Sequence, residues 1–279
     1  MISFPNCKIN LGLTILQKRE DGFHDIETIF YPVSLYDIIE ILPSENSTSP
    51  FHLTTSGLNI DTDELNNLCY RAYNLLLTDF PSIPSINMHL YKVIPPGAGL
   101  GGGSADGAST LKLLDKQFNL GLTHEQLKGY ALLLGSDCPF FIMNKPCYAR
   151  GRGELMEEVT LDLSVYNILL VNPGIHINTG DAFAAWGEKR RVDDKNTNQI
   201  PLKEIIKKPV SCWKEEMKND FEEHAFGKYS VLKQIKNTLY EKGALYAGMS
   251  GSGSTLYGIF EKKCSLPLFE GQGYFLKTV

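Results

Sequence analysis

A chain of 279 residues suffices for one large domain or two ordinary ones, and 43% hydrophobic with 21% charged residues is the balance of a soluble globular protein. Its net charge of −5 gives no electrostatic reason to bind nucleic acid or an anionic membrane, so an anion site must be local. No apolar run reaches the roughly 18–20 residues that span a bilayer, and the first residues lack the basic-then-apolar order of a signal peptide, so the expected location is the cytoplasm. Cys7, Cys69, Cys138, Cys147, Cys212 and Cys264 form no C-x-x-C and read as reduced thiols.

Residues 7–13 alternate. Cys7, Ile9, Leu11 and Leu13 share an apolar face, and Lys8, Asn10 and Gly12 the other, so a strand is predicted with Lys8 and Asn10 side by side. On this strand alone, Lys8 reads as a solvated sheet lysine. Asp21-Gly22 makes a turn with Phe23 and His24 at its exit, a pair that suits plain packing or a ring ligand. Strands are predicted at 26–32 and 38–42, loop at 45–63, and a helix at 65–78 with Leu68, Ala72 and Leu75 on one side. Ile86, Met88 and Leu90 then alternate in a further strand.

That strand leads to Pro95-Pro96-Gly97-Ala98-Gly99-Leu100-Gly101-Gly102-Gly103-Ser104, with five glycines in seven positions. Glycine loses the most backbone entropy on folding, so such a run has its use where the backbone must turn sharply or approach something closely. Ala108, Leu111, Leu114 and Phe118 follow at helical spacing, with Ser104 or Asp106 as the predicted cap. A glycine loop entering a helix start offers unpaired N–H groups and a positive dipole end, which suits a phosphate.

Thr123-His124-Glu125-Gln126 is a capping box; it opens a helix with Leu127, Ala131 and Leu134 inward and Gly135 as its stop. Asp137 follows, before Cys138-Pro139-Phe140-Phe141, and is expected to be largely buried; a buried carboxylate needs a partner. It suits a turn or capping aspartate, and equally a carboxylate beside the phosphate site with Lys8 as partner. Beyond it the sequence predicts a turn at 149–154, a strand at 167–171, a stretch from Ile175 to Phe183 that leads into a helix, and a mobile loop at 187–200. An acidic helical stretch around Asn219, a helix at 230–242 with Leu232, Ile235 and Leu239 inward, a second glycine loop at 248–254 and a strand at 255–260 complete the chain. The order of elements restarts near 155–165, which divides the chain into 1–160 and 161–279.

Two glycine loops, a lysine and a poised aspartate suit phosphoryl transfer, which needs positioning and charge stabilisation more than covalent help. There is no G-x-x-x-x-G-K-[ST], and no H-R-D or D-F-G. A dinucleotide-dependent oxidoreductase fits poorly, because Pro95-Pro96 interrupt the strand and the acidic candidate Asp115 falls inside the helix.

The run from Pro95 to Ser104 resembles the second motif of the galactokinase, homoserine kinase, mevalonate kinase and phosphomevalonate kinase (GHMP) superfamily. Met249-Ser250-Gly251-Ser252-Gly253-Ser254-Thr255 resembles the third motif, and Cys7-Lys8-Ile9-Asn10-Leu11 the first. The triple glycine at 101–103, Asp21-Gly22-Phe23-His24 and Gly135-Ser136-Asp137-Cys138-Pro139-Phe140-Phe141 resemble its non-mevalonate isoprenoid branch. The resemblance runs from about residue 5 to about 260.

It implies an α/β (α+β), two-domain GHMP kinase fold: a ribosomal protein S5-like N-terminal ATP-binding domain, a ferredoxin-like C-terminal domain, and the site in the cleft between them. It implies ATP-dependent phosphorylation of the 2-hydroxyl of 4-diphosphocytidyl-2-C-methyl-D-erythritol, with ATP entering as its Mg2+ complex. Asp137 would be the general base and Lys8 would bridge it to that hydroxyl. Asn10 would hold substrate, His24 would read the cytosine edge, Phe23 and Phe183 would sandwich the ring, and Thr179 would lie near the sugar-phosphate portion. Pro96, Gly97, Ala98, Gly99, Leu100, Gly101, Gly102, Gly103 and Ser104 would cradle the ATP phosphates, and Ser250, Gly251 and Ser252 would close the site. The implied partners are small molecules, with a monomer or weak homodimer as the assembly; no metal ligand is assigned. Two positions depart from the pattern: Phe23 stands where tyrosine is common, and Asp106 brings a carboxylate near phosphate unless it points away or meets magnesium. A homoserine- or mevalonate-type kinase and a non-catalytic nucleotide-binding relative are the alternatives.

Overall fold

The computed structural model describes residues 1–44, 49–60, 63–190, 200–267, 269 and 273–279. Its strands in chain order are β1 (Ile2–Ser3), β2 (Asn6–Lys18), β3 (His24–Tyr36), β4 (Ile38–Pro43), β5 (Phe51–Gly57) and β6 (Ile86–Lys92). They continue with β7 (Cys147–Gly151), β8 (Leu155–Glu158), β9 (Tyr166–Asn172), β10 (Tyr246–Met249), β11 (Leu256–Glu261) and β12 (Phe275–Thr278). The helices used below are α1 (Leu68–Asp79), α2 (Gly102–Phe118), α3 (His124–Leu134), α4 (Cys138–Met143) and α5 (Thr179–Arg190). Two compact units interleave along the chain: Met1–Lys8, Pro32–Pro96 and Gly101–Lys145 form the first, and Ile9–Tyr31, Gly97–Leu100 and Pro146–Val279 the second.

The first unit is a sheet of order β1-β4-β6-β5 with helices on it. β6 shows how the sequence sets the layers: Ile86, Met88 and Leu90 are buried while the residues between them are exposed. Helix α2 packs against α1, α3 and α4, and its Ala108, Leu111 and Leu114 have no solvent exposure. Each such leucine contributes about 1.5–3 kcal/mol of burial. Helix α1 turns Cys69, Ala72, Tyr73 and Leu76 inward rather than Leu68 and Leu75. Phe51 of β5 packs on this face, with ring centroids 5.4 Å from Tyr73 and 5.3 Å from Tyr70.

β5 corrects the loop expected at 45–63, of which 45–48 and 61–62 lie outside the described residues. Only Phe51 of this strand is buried, so it carries no alternation; parallel pairing with β6 holds it.

The second unit contains the antiparallel sheet β10-β11-β9-β12, and its portions of β2 and β3 belong to the sheet β2-β3-β7-β8. Leu13, Ile15, Ile26 and Val171 share a core with Leu232, Ile235 and Leu239, the inward face expected for the helix Ser230–Glu241. β10 and β12 leave little pattern in the sequence: all four residues of β10 are buried, and three of four in β12 are exposed. Residues 187–190 continue α5 rather than forming a loop, and 191–199 lie outside the described residues.

The capping box of α3 forms as its spacing requires. Thr123 Oγ1 accepts from the Gln126 amide at 3.2 Å, and Gln126 Oε1 accepts from the Thr123 amide at 2.9 Å. Thr123→Ala removes half of it and should cost about 1 kcal/mol. In a chain of this length that is a fall in melting temperature of about 2–4 °C, read by thermal unfolding.

Candidate active site

In the first unit Lys8 is not the solvated lysine that its strand suggests; it is 3% exposed. Burying an ammonium is costly unless it is paired, and its Nζ lies 3.4 Å from Asp137 Oδ2. Asp137 stands where α3 has stopped and α4 begins, yet its carboxylate makes no capping bond to α4. Its side chain is 35% exposed, so it is half open rather than largely buried. Cys138, Phe140 and Phe141 fill the core at this corner and leave the aspartate at the margin. Burial pushes the Cys138 thiol up to about 12, which makes it a packing group and no nucleophile.

Helix α2 starts earlier than the predicted caps allow. Gly101 is its N-cap at φ +69°, and neither Ser104 nor Asp106 caps it. A Cβ on Gly101 would lie 2.9 Å from Phe141 Cζ and 3.1 Å from Lys8 Cε. The stem of Lys8 therefore runs against the helix start, where the first N–H groups have no intrahelical acceptor. A Cβ on Gly103 would meet nothing within 4 Å. An open helix start, an ammonium and a carboxylate thus meet at one place. Asp106 points away from this opening, and its Oδ2 lies 2.6 Å from Lys92 Nζ.

In the second unit the residues 97–100 lie against the loop 249–255. Ala98 and Leu100 are buried anchors, and the Ala98 carbonyl accepts from the Thr255 amide at 3.2 Å. Gly99 has φ +77°, and a Cβ there would lie 2.0 Å from the Ser250 carbonyl oxygen. Ser250 Oγ donates to the Gly99 carbonyl at 2.7 Å and accepts from the Asn10 amide at 3.1 Å. The Asn10 side chain donates to Thr28 Oγ1 at 3.0 Å, and Thr179 Oγ meets Ser252 Oγ at 2.8 Å.

His24 stacks on Phe183, with ring centroids 4.5 Å apart and planes 10° off parallel, and Phe183 packs edge-on to buried Phe221. Phe23 is 49% exposed, and the Arg152 guanidinium lies 3.7 Å from its ring centroid. The expected aromatic sandwich therefore has its rings engaged by His24 and Arg152.

Several residues that hold these elements escaped the sequence reading. Asn219 donates to the carbonyls of Met249 and Gly251, both at 2.8 Å, and Asn172 donates to Thr255 Oγ1 at 3.0 Å. Glu222 accepts from the Met249 amide at 2.9 Å. Nothing local marks these partners, which lie 27–83 positions away. Lys92 could have been found, because the alternation of β6 carries it onto the buried face.

The GHMP kinases N terminal domain model matches residues 67–145, and the GHMP kinases C terminal model matches residues 202–264. A 4-diphosphocytidyl-2-C-methyl-D-erythritol kinase of Bacteroides fragilis is 49% identical over 272 residues, 97% of this chain and 96% of that one. The chain belongs to the 4-diphosphocytidyl-2-C-methyl-D-erythritol kinase family of GHMP kinases. A solved structure of a 4-(cytidine 5'-diphospho)-2C-methyl-D-erythritol kinase is 30% identical with TM-score 0.78, covering 93% of this chain and 90% of that one. The mevalonate kinase of L. major shares the fold at TM-score 0.69 and 16% identity, covering 100% of this chain and 98% of that one. The α/β GHMP kinase fold implied by the glycine motifs is the fold of this family, and membership of the family implies the use of ATP. Among the described residues no helix is long and apolar enough to cross a membrane.

The two kinds of glycine should separate by mutation. Gly99→Ala forces a side chain onto the Ser250 carbonyl at positive φ and should cost more than about 2 kcal/mol. Gly103→Ala, in a helix with open space, should keep or raise the melting temperature. Thermal unfolding of both variants checks this.

Proposed function

We propose that the chain transfers the γ-phosphoryl group of ATP to the 2-hydroxyl of 4-diphosphocytidyl-2-C-methyl-D-erythritol, a step of non-mevalonate isoprenoid synthesis. One observation carries this reading: Lys8 runs along the start of α2 and ends 3.4 Å from the half-open carboxylate of Asp137. Asp137 takes the proton of the attacking hydroxyl. The oxygen–phosphorus bond forms as the bond from the γ-phosphorus to the bridging oxygen breaks, and ADP leaves. Lys8 bridges the carboxylate and the hydroxyl and offsets the charge that develops. The loop from Pro96 to Ser104 cradles the phosphates through main-chain amides, and Ser250, Gly251 and Ser252 close over them.

Burial, then the charge of Lys18, holds His24 below the usual histidine range, so it is neutral at pH 7 with one N–H and one bare nitrogen. That pair suits a base edge carrying both donor and acceptor. Phe23 and Phe183 stack on the base, while Asn10 and Thr179 hold the remainder of the substrate.

Mg2+ enters with ATP. It keeps waters and phosphate oxygens as ligands more readily than it takes an all-protein cage. Among the described residues there is no group of three His, Cys, Asp or Glu to form one. We assign 1–160 as the ATP-binding domain and 161–279 as the C-terminal domain of a cytoplasmic monomer or weak homodimer.

An ADP-release assay with the cytidine substrate, mevalonate and homoserine tests the reading. Turnover confined to the first is expected; equal turnover with either of the others overturns it. Asp137→Ala should lower kcat by roughly 10²–10⁴ with ATP affinity little changed. His24→Ala should raise KM for the cytidine substrate by the equivalent of about 1–3 kcal/mol and leave KM for ATP in place.

A further inference from the structure

Strand β6 puts a lysine where its period calls for an apolar side chain. Lys92 is 3% exposed, and its Nζ donates to Asp37 Oδ2 at 2.5 Å and to Asp106 Oδ2 at 2.6 Å. One ammonium against two carboxylates leaves a buried net charge of −1. Asp37 is well satisfied, since its Oδ1 accepts from the amides of Val93 and Ile94 at 2.6 and 2.8 Å. Asp106 is not: its Oδ1 is buried without a hydrogen-bond partner.

The cluster lies under the first turn of α2. A Cβ on Gly102 would come within 3.1 Å of Lys92 Nζ, and Asp106 is one turn further along the same helix. A buried negative charge here opposes a polyphosphate at the helix start, and a neutral cluster does not. We propose that Asp37, Lys92 and Asp106 are positioning residues for the nucleotide, and that the cluster holds one proton while the polyphosphate is seated. This rests on the reading of the α2 start as the phosphate cradle.

Burial, ahead of the opposing pull of Lys92 and the repulsion of Asp37, pushes the Asp106 carboxyl up to about 7. Burial works against the Lys92 charge, but the two carboxylates outweigh it and hold Lys92 above the ordinary lysine range. The neighbouring groups are the thiols of Cys69 on α1 and Cys7 on β2, with Lys8 beyond Cys7. Burial pushes both thiols up to about 12, so they stay neutral. A carboxyl raised in the folded state gives stability below its unfolded value near 4, and that stability is lost as pH rises through about 7.

The test is calorimetric binding of a non-hydrolysable ATP analogue to wild type and Asp106→Asn at pH 6 and pH 8.5. The ratio of the two affinities is the readout, because the analogue's own titration is common to both proteins. The ratio should move by roughly three- to tenfold in favour of Asp106→Asn between the two pH values. The same ratio for the cytidine substrate should stay constant, and Asp106→Asn should melt higher than wild type at pH 8.5. A nucleotide ratio unchanged with pH overturns the proposal. A carboxyl 13C titration of labelled wild-type protein serves independently of the variant's folding: an Asp106 midpoint near 4 overturns the proposal, and one near 7 supports it. Gly103→Leu separates the two readings. Undiminished analogue binding in that variant removes the cradle itself, whereas blocked binding with a flat Asp106→Asn ratio removes only the proton.

Discussion

The ammonium of Lys8 serves two neighbours at once. Its stem lies against the helix start at Gly101, and its charge faces Asp137. A lysine buried to this degree is tolerable only where negative charge answers it. The first unit meets that condition by ending α3 at Gly135 and leaving Asp137 free of any cap bond to α4. The glycine at 101 follows from the same constraint, because any side chain there collides with the lysine stem and with Phe141. The Lys8–Asp137 ion pair and the helix start are therefore one packing solution.

The second unit answers a different problem, that of holding a glycine loop still. It uses mostly neutral side chains, with the Glu222 carboxylate on the Met249 amide as the charged member. Asn219 ties two carbonyls of the loop, Asn172 ties its hydroxyls, and Ser250 clasps the Gly99 carbonyl. Neutral groups can be buried at modest cost once their hydrogen bonds are made.

What the sequence revealed was what local chemistry decides. The capping box at Thr123, the inward face of the helix Ser230–Glu241 and the strand carrying Lys8 and Asn10 all follow from spacing. β5 and β12 did not, since an edge strand held by backbone pairing needs no alternation. The inward face of α1 carries Tyr73, which packs on Phe51, a residue outside the helix. The ion pair between Lys8 and Asp137 was open in the sequence, and folding joins residues 129 positions apart. Asp106 is the instructive departure. At loop level its carboxylate looks misplaced beside a phosphate site, and the fold resolves this by turning it to Lys92.

The start of α2 has a consequence for inhibitor design. A compound that grips this turn engages main chain, and among point mutations only one to proline deletes an N–H there. Escape would have to come from an added side chain, and at Gly101 that addition meets Phe141 and the stem of the lysine paired with Asp137. Resistance by that route would damage the enzyme along with the drug's foothold.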